Sequence, residues 1–217
     1  MRVSDKFGLP LFHTQTHDAG NDRRLSVHVE DARFFLRRPA DPWDVIISEP
    51  SNLWVGSNDL LFTDSFFRSI ANRLAPDGLL LQWVHLYETD AASLCSVVAT
   101  MAAVFPDLTA FRGTNGEWLV IASRGLLEAA EPRARALWAT HPKVQASLAE
   151  LGIKSFDELW ARRVLPFPDY AARARTTCPI HTELDTRLVY RSALALFAGT
   201  TLSEHEVLDA DDASRQP

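Results

Sequence analysis

The sequence predicts an α/β fold in which a mostly parallel sheet is layered by helices. Three observations carry that expectation. Trp43-Asp44-Val45-Ile46-Ile47-Ser48 and Leu79-Leu80-Leu81-Gln82-Trp83-Val84 are apolar runs, the pattern of strands buried on both faces. Between them Phe66, Phe67, Ile70 and Leu74 recur at helical spacing. Two later apolar runs, 108–112 and 117–122, are joined by Gly113-Thr114-Asn115-Gly116, a hairpin-length link that makes this pair antiparallel.

Residues 1–24 show no sustained period. His13 and His17 stand four apart, but the neighbouring sequence supplies no third ligand, so a polar loop rather than a metal site is expected. Leu25-Ser26-Val27-His28-Val29 alternates and reads as a short strand. Glu30-Asp31-Ala32 closes it, and Arg33-Phe34-Phe35-Leu36 opens a short helix. Asp31 suits the N-cap of that helix, and it equally suits a carboxylate presented to a ligand at the strand end.

The first buried run, near 44–48, stops at Glu49-Pro50, because proline has no N–H for a central strand. Glu49 and Asn52 therefore fall just past the carboxyl end of that strand, where open α/β sheets bind ligands. An ordinary strand-to-loop turn with a solvated glutamate has the same spacing. Thr63 and Asp64 suit the start of a helix over 64–74, and Ala75-Pro76-Asp77-Gly78 ends it. Gln82, inside the second buried run (79–84), needs hydrogen-bond partners, either backbone or ligand. Thr89 and Asp90 cap a helix over 90–105, whose stripe of Leu94, Val97, Val98, Met101, Val104 and Phe105 is the clearest helical period in the chain.

From Arg124 onward the pattern is helical and more polar. Pro132 and Pro142 suit the first turns of two short helices, and Ser155-Phe156-Asp157-Glu158 reads as a capping box for a third. The expected organisation is an irregular segment at 1–24, an α/β domain at 25–123, a helical extension at 124–202 and a fraying acidic tail at 203–217.

Composition narrows the function classes. The chain has 217 residues, 47% hydrophobic and 23% charged, with a net charge of -6, which is the profile of a globular protein. No basic stripe points to nucleic acid. Cys95 and Cys178 are too few and too separated for a disulfide framework, and Cys95 reads as a small core residue on an apolar helix face. No apolar run approaches the ~20 residues of a membrane span, and Met1 to Lys6 lacks an apolar leader. A cytoplasmic protein with no membrane segment is expected.

The element order and ligand edge fit a nucleoside-binding, Rossmann-like domain. Val29-Glu30-Asp31-Ala32-Arg33-Phe34-Phe35-Leu36, the run from Trp43 to Asn52, Leu61 to Phe67, and Gly78 to Gln82 together resemble the spermidine synthase (polyamine aminopropyltransferase) family. The Glu-Pro-Ser-Asn after the central strand resembles a bacterial spermidine synthase-like branch. Pro179 to Arg191 is similar to the family's C-terminal Asn-Thr-Asp…Leu-Glu-Tyr signature. The resemblance covers 22–122 and 179–197. It implies the fold of S-adenosylmethionine-dependent methyltransferases, with an antiparallel C-terminal hairpin. It also implies a role in polyamine biosynthesis: transfer of an aminopropyl group from decarboxylated S-adenosylmethionine to an amine, with release of 5′-methylthioadenosine. By the same resemblance Asp31 and Ala32 match the pair that meets the adenine ring, Glu49 matches the carboxylate that deprotonates the attacking amine, and Gln82 matches the glutamine lining the amine pocket. Asn52 is then a substrate contact, and Tyr87 and Trp54 are walls for a cationic or aliphatic amine.

Two departures qualify the match. The family's Asp-Ser-Ser-Asp loop reads Glu49-Pro50-Ser51-Asn52, so a second carboxylate is replaced by an amide. Nothing before Leu25 resembles the family's Gly-rich loop, so the sheet is expected to lack its first strands and the chain to hold S-adenosyl nucleosides weakly or not at all. Leu25–Val29 is then expected to pair with 44–48 directly. Asp31, Glu49, Asn52 and Gln82 are expected to converge on one cleft. No metal is implied, a homodimer is allowed, and decarboxylated S-adenosylmethionine or S-adenosylmethionine is the co-substrate. The alternatives are an S-adenosylmethionine-dependent methyltransferase and a non-catalytic truncated paralogue acting as an interaction module.

Overall fold

The computed structural model describes residue 26 and residues 28–114, 116–125, 127 and 130–208. The expectations for 1–24, Leu25, Val27, Asn115 and the end of the tail lie outside them. The chain divides into two units, Met1–Phe35 and Leu36–Pro217. In the first, Ser26 and His28 to Glu30 are not in a strand, so the strand expected at 25–29 does not form in its described residues. A short helix, α1 (Ala32–Arg37), begins there.

The second unit is built on a four-stranded sheet of β1 (Trp43–Ser48), β2 (Leu74–His85), β3 (Asp107–Arg112) and β4 (Glu117–Ser123), in the order β1-β2-β4-β3. β1 and β2 are parallel, β2 and β4 antiparallel, and β3 and β4 form the expected antiparallel hairpin. Helix α2 (Asp64–Arg73) connects the parallel pair, and α3 (Ala91–Val104) leads from β2 to β3. Both start where expected. Thr63 Oγ1 accepts from Phe66 N at 3.3 Å, and Asp90 accepts from Ala92 N and Ser93 N at 2.9 and 3.0 Å.

Ala75-Pro76-Asp77-Gly78 interrupts the ladder. Trp43 pairs with Leu74 and Val45 with Leu79, so the intervening residues bulge from β2. Gly78 is required there, because a Cβ would stand 2.9 Å from Trp43 O and 3.0 Å from the Ala75 backbone.

Strand alternation gives the sheet two different faces. Leu80, Gln82, Val84, Trp118, Val120 and Ala122 face a core completed by Phe67 and Ile70 of α2, Leu94, Val97, Val98 and Met101 of α3, and Phe167 and Ala174 of α7 (Phe167–Thr177). Each fully buried aliphatic side chain there contributes about 1.5–3 kcal/mol. The opposite face, with Leu81, Trp83, Leu119 and Ile121, is only half covered. Over it lie α4 (Ala130–Thr140), α5 (Pro142–Glu150) and α6 (Phe156–Trp160), a helical extension that follows β4 in the chain. Helices α8 (Arg187–Ala198) and α9 (Glu204–Leu208) complete the unit.

Two expectations are corrected here. β1 is not buried on both faces: it pairs only with β2 among the described residues, and Val45 and Ile47 are 56% and 65% exposed. Cys95 and Cys178 are not two separate thiols but a disulfide across 83 residues of sequence, with Cα atoms 5.9 Å apart. Folding brings the end of α7 against α3, a proximity that sequence spacing does not reveal. Disulfides persist chiefly in oxidising compartments, so this pair does not favour the cytoplasmic reading. Among the described residues no helix is long and apolar enough to cross a membrane.

Candidate functional site

Ile47 pairs with Leu81 and Ser48 with Gln82. The two-residue period of a strand turns Leu81, Trp83 and the exit residue Glu49 to one face and Gln82 to the other. On the Glu49 side a cavity of about 770 Å³ opens between the sheet and the helical extension. Its floor is Leu81, Trp83, Phe111, Leu119 and Ile121, and its roof includes Leu137, Trp138, Leu148, Phe156 and Trp160. The lining is apolar except at its margin, where Glu49, Arg112, Thr114, Glu117, His141 and Arg162 stand. Arg112 is committed to Glu204 (Nη2–Oε1 2.5 Å) and to the Arg163 carbonyl (2.9 Å). Glu49 is exposed and has no hydrogen-bond or ion-pair partner among the described residues.

The loop after Glu49 is pinned to the end of β2. Leu53, fully buried, donates its N–H to His85 Nε2 at 3.4 Å. His85 Nδ1 lies 2.7 Å from Tyr87 O and 3.1 Å from Thr89 Oγ1. With Nε2 accepting, Nδ1 carries the proton and donates to the Tyr87 carbonyl. Burial holds His85 below its ordinary pKa, against the Tyr87 carbonyl and the charges of Glu88 and Glu117. From the cavity floor outward the rings form a row: Trp83 to His85 at 5.3 Å, His85 to Tyr87 at 5.0 Å, and Trp54 edge-on to His85 at 5.0 Å.

Asn52 stands near the Tyr87 phenol. Burial raises the Tyr87 pKa and the negative charge of Glu117 adds to it, while the Asn52 amide opposes both. The Asn52 carbonyl accepts from Val55 N at 3.0 Å and Asn58 Nδ2 at 3.2 Å, which closes the loop on itself. Further along, the fully buried His181 braces the 3₁₀ turn Asn58–Phe62: its Nε2 lies 3.1 Å from Asp59 O, and its carbonyl accepts from Asp64 N at 3.0 Å.

The expected site residues thus fall into three groups. Glu49, Asn52, Tyr87 and Trp54 gather at the carboxyl end of the parallel pair. Gln82 does not join them. It is fully buried on the core face, its Nε2 donates to Trp83 O at 3.0 Å, and its Oε1 has no partner. The expectation of one cleft for Glu49 and Gln82 is therefore corrected, because adjacent register positions on parallel strands alternate between faces. Asp31 and Ala32 belong to the other unit. There Asp31 accepts from Arg33 N at 2.8 Å and holds the Arg33 guanidinium with Nη2–Oδ2 at 2.6 Å, the capping geometry that was one of its two readings. His85 was not singled out: a histidine at a strand exit reads as a polar end, and only the fold shows it carrying the loop. Among the described residues no group of three or more His, Cys, Asp or Glu could hold a metal ion.

With this geometry in hand, comparison with known proteins shows the family. A spermine/spermidine synthase domain matches residues 5–114, half of the chain. The match begins earlier than the resemblance expected from residue 22, and 179–197 lies outside it. The polyamine aminopropyltransferase of Ruegeria sp. (strain TM1040) is 28% identical over 96 residues, covering 44% of this chain and 34% of that protein. That of Synechococcus sp. (strain JA-2-3B'a(2-13)) is 39% identical over 71 residues, covering 32% and 22%. The chain thus spans about a third or less of the length of these two relatives. The crystal structure of spermidine synthase from Thermotoga maritima is similar at a TM-score of 0.39 and 21% identity, covering 52% of this chain and 40% of that one.

Proposed function

Because the chain belongs to the spermine/spermidine synthase family, we propose that it serves aminopropyl transfer, with Glu49 as the base that readies the accepting amine. The observation that carries this reading is the position of Glu49. It leaves a parallel strand pair at its carboxyl end, borders an apolar cavity and has no partner among the described residues.

An ammonium has no lone pair to attack with until it loses a proton, so a neighbouring carboxylate is the group such a reaction needs. The proton goes to Glu49 and from there to water. The amine nitrogen then bonds to the propyl carbon of decarboxylated S-adenosylmethionine as that carbon's bond to the sulfonium sulfur breaks. The electron pair leaves on sulfur, and neutral 5′-methylthioadenosine departs. The chain's part is mostly positioning. His85 holds the loop through Leu53, and Trp54 and Tyr87 offer aromatic faces to a cation at the loop's mouth.

The place of β1 at the edge of the sheet among the described residues favours a second reading, an interaction module whose sheet is completed by another strand. One experiment separates the two. The purified protein is incubated with decarboxylated S-adenosylmethionine and a panel of amines, and products are followed by mass spectrometry. Aminopropylated amine appearing in step with 5′-methylthioadenosine supports the transfer reading. No product from any amine by a folded protein favours the module.

A further inference from the structure

We infer that the amine taken by this site is a monoamine with a bulky apolar body, seated between the sheet and the helical extension with its ammonium at Glu49. The inference rests on the aminopropyl-transfer reading for the identity of the charged group, but the cavity itself argues the rest. A diamine is best held by a carboxylate at each end. Here Asn52, in the loop after Glu49, is a neutral amide near the Tyr87 phenol, and the second carboxylate of the cavity, Glu117, stands at the same margin as Glu49 rather than at the far apolar end. The space beyond Glu49 is not a narrow polar channel but an apolar chamber of about 770 Å³, within the usual size of small-molecule sites. Trp83 on its floor and Trp138 and Trp160 on its roof are flat aromatic walls. A second ammonium pushed among these walls, away from Glu49 and Glu117 at the margin, would lose its water without gaining a counter-charge.

Charge at the margin points the same way. The Arg112 guanidinium is neutralised by Glu204; Glu117 accepts from Thr114 Oγ1 at 3.4 Å and keeps its charge, and the Arg162 cation stands at the same margin. Glu49 is left as the carboxylate without a partner, so one ammonium is the complement it lacks. Aromatic and branched aliphatic amines have this chemistry: one cationic head and an apolar remainder.

The test is equilibrium binding, which needs no turnover. 2-Phenylethylamine, its uncharged counterpart 2-phenylethanol and 1,4-diaminobutane are titrated calorimetrically into the full chain, into Glu49→Gln and into Trp138→Ala. Circular dichroism confirms that each variant is folded. The expected result is 2-phenylethylamine at least tenfold tighter than 1,4-diaminobutane. Glu49→Gln should weaken the amine at least fivefold and leave the alcohol unchanged, and Trp138→Ala should weaken both phenyl compounds. Equal or tighter binding of the diamine, equal binding of amine and alcohol to the unaltered protein, or no binding of any of the three would overturn the inference. If the monoamine binds as expected yet is never aminopropylated, the inference stands and the transfer reading falls. If only 1,4-diaminobutane is bound and aminopropylated, the reverse holds.

Discussion

Replacing both Cys95 and Cys178 by alanine should remove a large part of the fold's stability. The bond closes a loop of 83 residues. Chain-entropy reasoning for a loop of that length gives about 4.5 kcal/mol at 25 °C as the restriction placed on the unfolded chain, an upper value where the unfolded state keeps residual structure. In a chain of this size that corresponds to about 10–18 °C in Tm. The loss should also have a direction in space. Cys178 leads into Pro179–His181, where Ser96 Oγ donates to Pro179 O at 2.8 Å and His181 N donates to Thr100 Oγ1 at 2.8 Å. That segment braces the turn following the Glu49–Asn52 loop, so amide exchange should rise at 59–64 before it rises in β4. Urea unfolding by circular dichroism, with and without reductant, measures the first effect. Reduced wild type and the double variant should superimpose. A stability difference under about 1 kcal/mol, or two free thiols titrating in the unreduced folded protein, would refute the reasoning.

Three further outcomes are expected. His85 and His181 are both held below their ordinary pKa, chiefly by burial. Their contribution is therefore complete above about pH 6.5 and lost as pH falls from there toward their lower folded values, with a slope of up to about 1.4 kcal/mol per pH unit for each. Urea midpoints between pH 7.5 and 5 should show that decline, and a His85→Asn, His181→Asn variant should show a flatter one. Gly78→Ala should destabilise by about 1–3 kcal/mol, because the new Cβ meets backbone atoms of Trp43 and Ala75 that cannot swing away; an unchanged urea midpoint would count against the bulge. Asp90→Ala should cost about 1–2 kcal/mol, since it removes the cap of α3 and the Arg191 ion pair at 2.8 Å together; restoring Asn at 90 should recover most of the cap but not the pair.

The layered part of the fold was legible because its signals are local. The stripe from Leu94 to Phe105, the helix starts at Thr63 and Asp90, and the Gly-containing link at 113–116 each specify their element within a dozen residues. What failed was non-local. Val45 and Ile47 have the composition of a strand covered on both sides, yet composition cannot say whether a neighbouring strand is present, and among the described residues β1 stands at the sheet's edge. The disulfide was invisible because it depends on α7 folding back onto α3. The resemblance puts Gln82 with Glu49 in one amine pocket, whereas the register in the parallel pair sends them to opposite faces. The cavity was missed for a related reason. Its roof comes from a polar-looking helical extension whose apolar residues, such as Leu137, Trp138 and Leu148, show their common side only once they are laid over Trp83.

The central claim is that Glu49 activates the amine for aminopropyl transfer, and release of 5′-methylthioadenosine tests it most directly. Protein, wild type or Glu49→Gln, is mixed with a saturating amine and with decarboxylated S-adenosylmethionine at a concentration high enough to offset the weak nucleoside binding expected of the chain, and the thioether is quantified against time from pH 6 to 9. The account predicts amine-dependent release by the wild type. It also predicts a fall of about 100-fold or more in Glu49→Gln, in line with the usual worth of a general base. Binding of the donor, titrated separately, should change only a few-fold. Release that proceeds at the same rate in Glu49→Gln, or that does not depend on the amine, would contradict it.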